Sequence, residues 1–521
     1  NKIANQNRRF VTVSQTLAES IGELIIGKVP GTSLDDDMRD CLSSGIASGI
    51  TIFKDNVKSQ EQILDLCDEV KKSCRSTAFI SIDQEGGPVQ RLDDIISPIP
   101  SMMALGQLQD LERIKMIINL AGKQMRLLGI NCVLAPVLDV NTNPRNPIIG
   151  TRAFGSSPEL VTKLSALVMR TYLEAGLLPV AKHFPGHGDT DLDSHLELPR
   201  LSHSIERLEE IELSPFKENL LITPAILVAH LWVECLDKET IPASLSHNVI
   251  TKLLKDELAF QKLLISDDML MKAITNKWGL EEACVRAVEA GLDLLLVCAG
   301  PTELRAVHKA LMDAVSSGRI SEERIQTSVR ARKVALNKIT KFDELEKSRR
   351  LSSLAKSVAA SEQLLVETSS TAIELSRGVP RNIFLGEEQI DIFIPKIERY
   401  PMRFVESLRS EYPAIASRLV EHRYSLNPGD EEIKLLSKDK IEKCILVTFR
   451  ASINKTQVEL ANQLLSQSKD GLLIASDVPY DLDLLPDWEK AVSMFDPSDL
   501  AVRAFAKLMA KSLHICKACG H

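Results

Sequence analysis

The chain has 521 residues, too many for one ordinary hydrophobic core, so two or more domains are expected. Its 44% hydrophobic and 26% charged residues describe a globular composition, and a net charge of −8 argues against a polyanion partner, because phosphate backbones need concentrated Lys and Arg. No apolar run reaches the roughly 18 residues of a membrane span, so neither nucleic acid nor membrane is an expected partner.

The N-terminus, Asn1 to Phe10, has no apolar signal core, although a start without Met leaves room for a removed leader. Eight apolar, β-branched runs then alternate with helical patterns: Glu23–Val29, Ile50–Phe53, Ala78–Asp83, Asn131–Asp139, Pro179–His183, Ala225–His230, Leu263–Asp267 and Asp293–Val297. Runs apolar on both faces predict strands covered on both sides, as in a parallel sheet, and eight repeats favour a (β/α)8 TIM barrel. Asp83, Asp139, Lys182, His183, His230 and Asp267 close these runs. In such a barrel the C-terminal strand ends form the active face, although capping a loop is the simplest role for any one of them.

Helical patterns follow at Leu304–Met312 and Ser321–Val329, and the charged segment Lys338–Arg350 reads as a linker. This divides the chain into a barrel at 1–345, a linker at about 338–355, and a second part at 356–521. The second part carries a helix to about 376, strands at Asp391–Pro395, Cys444–Phe449 and Gly471–Ser476, and a helix at Thr456–Leu465. Too few strands for a barrel predict a smaller open α/β sandwich domain, and without a Gly-x-Gly-x-x-Gly or phosphate loop it is assigned no nucleotide. Cys516 and Cys519, flanked by His514 and His521, are packed too closely at the chain end for an easy tetrahedron, so a frayed tail is expected rather than a zinc site. The other cysteines (Cys41, Cys67, Cys74, Cys132, Cys235, Cys284, Cys298, Cys444) lack framework spacing, which favours reduced thiols and the cytoplasm.

The densest chemistry lies in Lys182–His195, where His183, His187 and His195 alternate with Asp189, Asp191 and Asp193 after a buried strand. Three readings are open: a polar turn, a metal loop using His183 and His187, or an acid/base dyad in which Asp193 orients His195. The Pro-Gly between His183 and His187 prevents the helical face that would put both rings on one ion.

The run Lys182-His-Phe-Pro-Gly-His-Gly-Asp-Thr-Asp-Leu-Asp-Ser-His195 resembles the signature of the β-N-acetylhexosaminidases of glycoside hydrolase family 3. Ile82-Asp-Gln-Glu-Gly-Gly87 with Arg91, Leu134–Asn141 leading to Ile149–Gly155, and Ile265-Ser-Asp-Asp-Met269 resemble its other blocks, in order, over about residues 15 to 340. Pro479–Leu482 is more loosely similar to the second domain of some members, and Ala153 stands where many have Ser. The resemblance implies Asp267 as nucleophile and His195 as general acid/base oriented by Asp193. It implies Asp83, Arg91, Arg152, Lys182 and His183 as holders of a terminal N-acetylglucosamine, with no metal and no cofactor.

The chemistry agrees, because a retaining glycosidase needs one attacking carboxylate and one group that gives and takes a proton near neutrality, as an imidazole of pKa about 6.5 can. The expected activity is therefore that of a retaining exo-β-N-acetylglucosaminidase working through a glycosyl-aspartate. The resemblance implies muropeptides, N-acetylglucosamine on 1,6-anhydro-N-acetylmuramic acid, as substrate and peptidoglycan recycling as setting. Two alternatives stay open: a phosphorylase using the same residues, since a histidine repels an anionic acceptor less than a carboxylate would, and a non-catalytic carbohydrate-binding barrel. Oligomeric state is not legible.

Overall fold

The computed structural model describes residues 16–190, 198–339, 345–437 and 440–518, with side chains as far as Lys511. Eleven strands occupy the first part: β1 (Ile25–Ile26), β2 (Gly49–Ile52), β3 (Phe79–Ile82), β4 (Cys132–Val133), β5 (Leu178–Pro179), β6 (Ala181–Phe184), β7 (Arg200–Leu201), β8 (Ala225–Val228), β9 (Trp232–Val233), β10 (Leu263–Asp268) and β11 (Leu294–Leu296). They form a five-stranded sheet, β1-β11-β10-β8-β6, a four-stranded sheet, β2-β3-β4-β5, and the small pair β7-β9. Every pairing is parallel. Two parallel bridges join the larger sheets, Gly27 to Ile50 and Val137 to Lys182. Each of the eight apolar runs read from the sequence supplies a strand, and β2, β3 and β8 are buried at every position, as expected of strands covered on both faces.

The intervening helices carry their own start and stop signals. Asp110 accepts the Arg113 N–H at the head of Leu111–Leu128, and Gly129 ends that helix at φ 100°, a conformation glycine adopts without strain. Ser157, with Pro158 in the first turn, starts Pro158–Glu174, and Ser321 caps Glu322–Asn337.

The second part holds β12 (Glu374–Arg377), β13 (Ile390–Pro395), β14 (Leu419–Tyr424), β15 (Ile441–Thr448), β16 (Ser468–Ala475) and β17 (Ala491–Ser493) in the order β12-β17-β16-β15-β13-β14. Only β12 pairs antiparallel. The three strands seen in the sequence are its central ones. β14 was not foreseen because Glu421, His422 and Arg423 interrupt its apolar pattern, as an edge strand allows.

From Lys347 the charged segment Lys338–Arg350 is helical, opening the 26-residue helix Lys347–Ala372. Its early charges find partners on the first part of the chain: Lys347 bonds Glu61 and Asp65, and Arg350 bonds both Asp68 carboxylate oxygens and the Leu127 carbonyl. Gln124 donates to Ser357, and the Ser97 and Ser361 hydroxyls meet at 2.6 Å. One continuous buried apolar cluster extends from the parallel sheets to Ile392, Phe404 and Phe505, so both parts share a core. Among the described residues no helix is long and apolar enough to cross a membrane.

Candidate active site

The carboxyl ends of β3, β6 and β10 open onto a cavity of 420 Å³. Asp83 and Glu85 reach it from the turn after β3, Lys182 and His183 from β6, and Asp267 from the end of β10. Arg91 and Arg152 enter from connecting segments. The five sugar-holding residues inferred from the sequence and the inferred nucleophile thus line one hollow. Asp193 and His195 lie outside the described residues, which resume at residue 198.

The cations are not free donors. Lys182 Nζ bonds Asp83 at 2.7 Å and Glu85 at 2.6 Å, while Arg152 grips both Glu85 oxygens at 2.8 Å. Arg91 stands 3.6 Å from Asp83. Burial alone would raise the Glu85 carboxyl, but Arg152 and Lys182 outweigh it and hold it far below the usual carboxylate range. Asp83 follows the same logic: burial raises it, Lys182 and Arg91 win, and it stays ionised. Lys182 is the mirror case, lowered by burial and raised further by Asp83 and Glu85. Glu85 is a residue the sequence reading passed over, although it follows Asp83 by two positions and clamps two of the foreseen donors.

His183 Nδ1 lies 2.6 Å from Asp139 Oδ2, and its Nε2 lies 3.2 Å from Arg152 Nη2. A guanidinium only donates, so Nε2 accepts and the ring proton sits on Nδ1, facing Asp139. The other Asp139 oxygen accepts the His187 N–H at 2.6 Å. Burial would raise Asp139, but His183 and the His187 contact hold it low. The His187 ring meets the Thr190 hydroxyl at 2.5 Å, and burial lowers it to about 4, leaving it neutral at pH 7. His183 and His187 therefore have separate partners, unlike two ligands of one ion. Gly188 permits this fold of the loop, since a Cβ there would lie 1.9 Å from the Val140 carbonyl.

Asp267 and Asp268 end β10 with different surroundings. Asp267 lines the cavity and accepts the Asp268 N–H at 2.8 Å; burial would raise its carboxyl, but His230 and His183 outweigh it, and it lies below the usual range. Asp268 is instead raised by burial, and its Oδ1 is used by the Leu270 and Cys298 N–H groups at 3.0 and 3.3 Å. His230, another strand-end residue, is fully buried and holds this peptide from behind: Nε2 donates to the Asp268 carbonyl at 3.0 Å and Nδ1 meets Ser244 at 2.7 Å.

The far wall was not legible in the sequence. Ile397, Arg399, Tyr400, Phe449 and Arg450 face the same cavity from the loops after β13 and β15. Among the described residues one cluster offers metal-type ligands, Asp189, His203 and Glu212, all within 4.8 Å. His203 bonds Asp189 at 2.7 Å, and the Arg207 guanidinium bonds Glu212 at 2.8 Å, so a cation already sits there.

The family model of the glycosyl hydrolase family 3 N terminal domain matches residues 16–335. The chain belongs to this family. It is 30% identical over 326 residues to Beta-hexosaminidase A of Pseudoalteromonas piscicida, a match over 57% of this chain and 54% of that one, so it spans about half the length of that relative. It is 31% identical over 274 residues to a Beta-hexosaminidase of Idiomarina loihiensis, across 52% of this chain and 82% of the other. The solved structure of a glycoside hydrolase family 3 beta-N-acetylglucosaminidase from Paenibacillus sp. str. FPU-7 is similar at TM-score 0.84 and 30% identity, over 96% of this chain and 97% of that one. The family match ends before the helix Lys347–Ala372, whereas the structural likeness continues through the second sheet.

Proposed function

We propose that the chain is a retaining exo-β-N-acetylglucosaminidase that removes terminal β-linked N-acetylglucosamine through a covalent glycosyl-Asp267 intermediate. The observation that carries this is the convergence of Asp83, Arg91, Arg152, Lys182, His183 and Asp267 on one cavity. The names of the hexosaminidase relatives and of the Paenibacillus enzyme support the choice of sugar. Muropeptides carrying N-acetylglucosamine on 1,6-anhydro-N-acetylmuramic acid are the natural substrate in this reading. Free cysteines throughout the described chain support a reducing compartment, the cytoplasm.

The bridges Gly27 to Ile50 and Val137 to Lys182 support closure of β1, β2, β3, β4, β8, β10, β11 and the consecutive pieces β5 and β6, counted as one strand, into a (β/α)8 barrel, with the cavity at the strand carboxyl ends. The barrel takes residues 1–345 and the smaller α/β domain 356–521, joined at about 338–355. In the first half-reaction an Asp267 oxygen attacks the anomeric carbon while the bond to the leaving oxygen breaks, and His195, oriented by Asp193, protonates that oxygen. In the second, His195 takes a proton from water, the water oxygen bonds the anomeric carbon, and Asp267 departs as carboxylate. A depressed carboxyl suits Asp267, because it stays ionised and able to attack at neutral pH.

The test is incubation with an aryl β-N-acetylglucosaminide, followed by peptide mass mapping after a slow fluorinated N-acetylglucosaminyl donor. The expected result is release of the phenol and an adduct on the Asp267 peptide. His195→Ala should lose little on a nitrophenyl glycoside's first step, accumulate the adduct, and be accelerated by azide, an acceptor that needs no base. An adduct on Asp268, or no effect of azide, would overturn these roles.

A further inference from the structure

In the second sheet the parallel strands run β14-β13-β15-β16-β17, so the chain leaves β13 toward one edge and resumes with β15 on the other side. The loops after β13 and β15 therefore diverge and leave a crevice at the strand carboxyl ends, the place where open parallel sheets bind ligands. Here that crevice opens onto the cavity that holds Asp267. Ile397, Arg399 and Tyr400 come from the loop after β13, and Phe449 and Arg450 from the loop after β15.

These residues divide by partner. Arg450 is held by Asp477 and the Pro147 carbonyl. Arg399 is exposed, rests over the Tyr400 ring at 5.8 Å, and pairs with no carboxylate among the described residues. The Tyr400 and Phe449 rings lie 6.1 Å apart with a 43° tilt, giving half-buried apolar faces opposite the polar wall. Arg399, Tyr400 and Arg91 also line an adjoining hollow of 480 Å³, where Lys54 is neutralised by Asp93 and Asp94, and Arg403 by Asp499.

We propose that this crevice is the aglycone subsite, in which Tyr400 and Phe449 receive the face of the leaving sugar and Arg399 binds an oxyanion that the aglycone carries as a carboxylate. The inference rests on the glycosidase reading and adds which part of the chain selects the leaving group. Aromatic faces suit the C–H side of a pyranose, and a guanidinium suits a carboxylate in two-point contact. An inorganic phosphate acceptor would present the same oxyanion chemistry, so the test separates the two.

Two aryl β-N-acetylglucosaminides are compared that differ only in a ring carboxylate or its methyl ester, in wild type, Arg399→Ala, Arg399→Lys and Arg399→Glu. Dividing the acid-to-ester ratio of kcat/KM in each variant by that of wild type cancels the difference in leaving-group acidity. The expected ratio falls about fivefold in Arg399→Ala at low ionic strength, falls further in Arg399→Glu, is largely kept in Arg399→Lys, and in wild type shrinks with added salt. An unchanged ratio in Arg399→Ala overturns the assignment. In a third arm inorganic phosphate is supplied with the ester: N-acetylglucosamine 1-phosphate that depends on Arg399, with no change in the acid-to-ester ratio, would mean that the anion is the acceptor, which also overturns it. Failure of wild type to cleave either glycoside removes the glycosidase reading itself, and this inference with it.

Discussion

Asp267 and Asp268 are neighbours at one strand end, and their contacts assign them different work. Asp267 faces the cavity with a depressed carboxyl, whereas Asp268 uses its carboxylate to hold the Leu270 and Cys298 N–H groups and is raised by burial. Asparagine at 268 keeps an oxygen that accepts both N–H groups, so Asp268→Asn should retain activity within about tenfold of wild type. Asp267→Asn removes the attacking group, and its rate should fall by about three to six powers of ten while thermal unfolding moves little. Steady-state kinetics of both variants on one aryl glycoside check this, and equal losses would mean that the strand end rather than one carboxylate is required. Glu85 shows a different kind of residue, one that need not touch a sugar to matter. Its two oxygens fix Lys182 and Arg152, both nearly buried, and removing one member of a buried charged network leaves the others unpaired.

The turn Gly150–Arg152 shows how an element of one part of the chain is held by the other. Thr151 donates to Asp477 Oδ1 at 2.6 Å, Asp477 Oδ2 accepts from Arg450, and Arg450 donates to the Pro147 carbonyl at 2.6 Å. Gly150, at φ +47°, lies so near Arg450 that a Cβ would meet the guanidinium at 2.9 Å. Two positions on, Arg152 is the one that grips Glu85 and reaches His183. Asp477→Ala should therefore raise KM on every aryl glycoside, several-fold more than it lowers kcat, and Asp477→Asn should restore part of the loss because its amide oxygen still accepts from Thr151. Kinetics of the two variants test this; equal losses in KM and kcat without rescue would make the contact purely structural. Legibility follows the same division. Asp83, Lys182, His183 and Asp267 could be read because each closes an apolar run, so the pattern that marks a strand also marks its end. Arg450 and Asp477 could not, because nothing local to them shows that the chain returns more than 300 residues later to residues 144–151. The strands at Leu419–Tyr424 and Ala491–Ser493 were missed for local reasons, one being half polar at an edge and the other only three residues long.

Taken whole, the molecule keeps several carboxyl groups dry where its two parts meet and just behind. Asp496 accepts the Ser101 N–H at 2.9 Å across that boundary, and burial raises it to about 6. Asp481, behind the Asp477 contact, accepts the Ala451 N–H at 2.7 Å, and burial raises it to about 7. Because both lie above the value of about 4 expected in an unfolded chain, they stabilise the fold fully below that pH, and the contribution fades as pH rises through 6 and 7. Asp83, Glu85 and Asp139 have the opposite sign, since their depressed values add stability above about pH 4 that is lost only as pH falls through their folded values. Stability of the full chain should therefore be greatest in the mildly acidic range and decline from pH 5 to pH 8, with Asp481 contributing on the order of 2 kcal/mol of that decline. Asp481→Asn cannot ionise, yet its amide oxygen still accepts from Ala451, so the variant should lose less stability over this interval than wild type. Denaturant unfolding at pH 5, 6.5 and 8 measures the difference directly. If both proteins lose the same amount, the proton that couples folding to pH in this range is bound elsewhere, and Asp481 is already charged inside the fold.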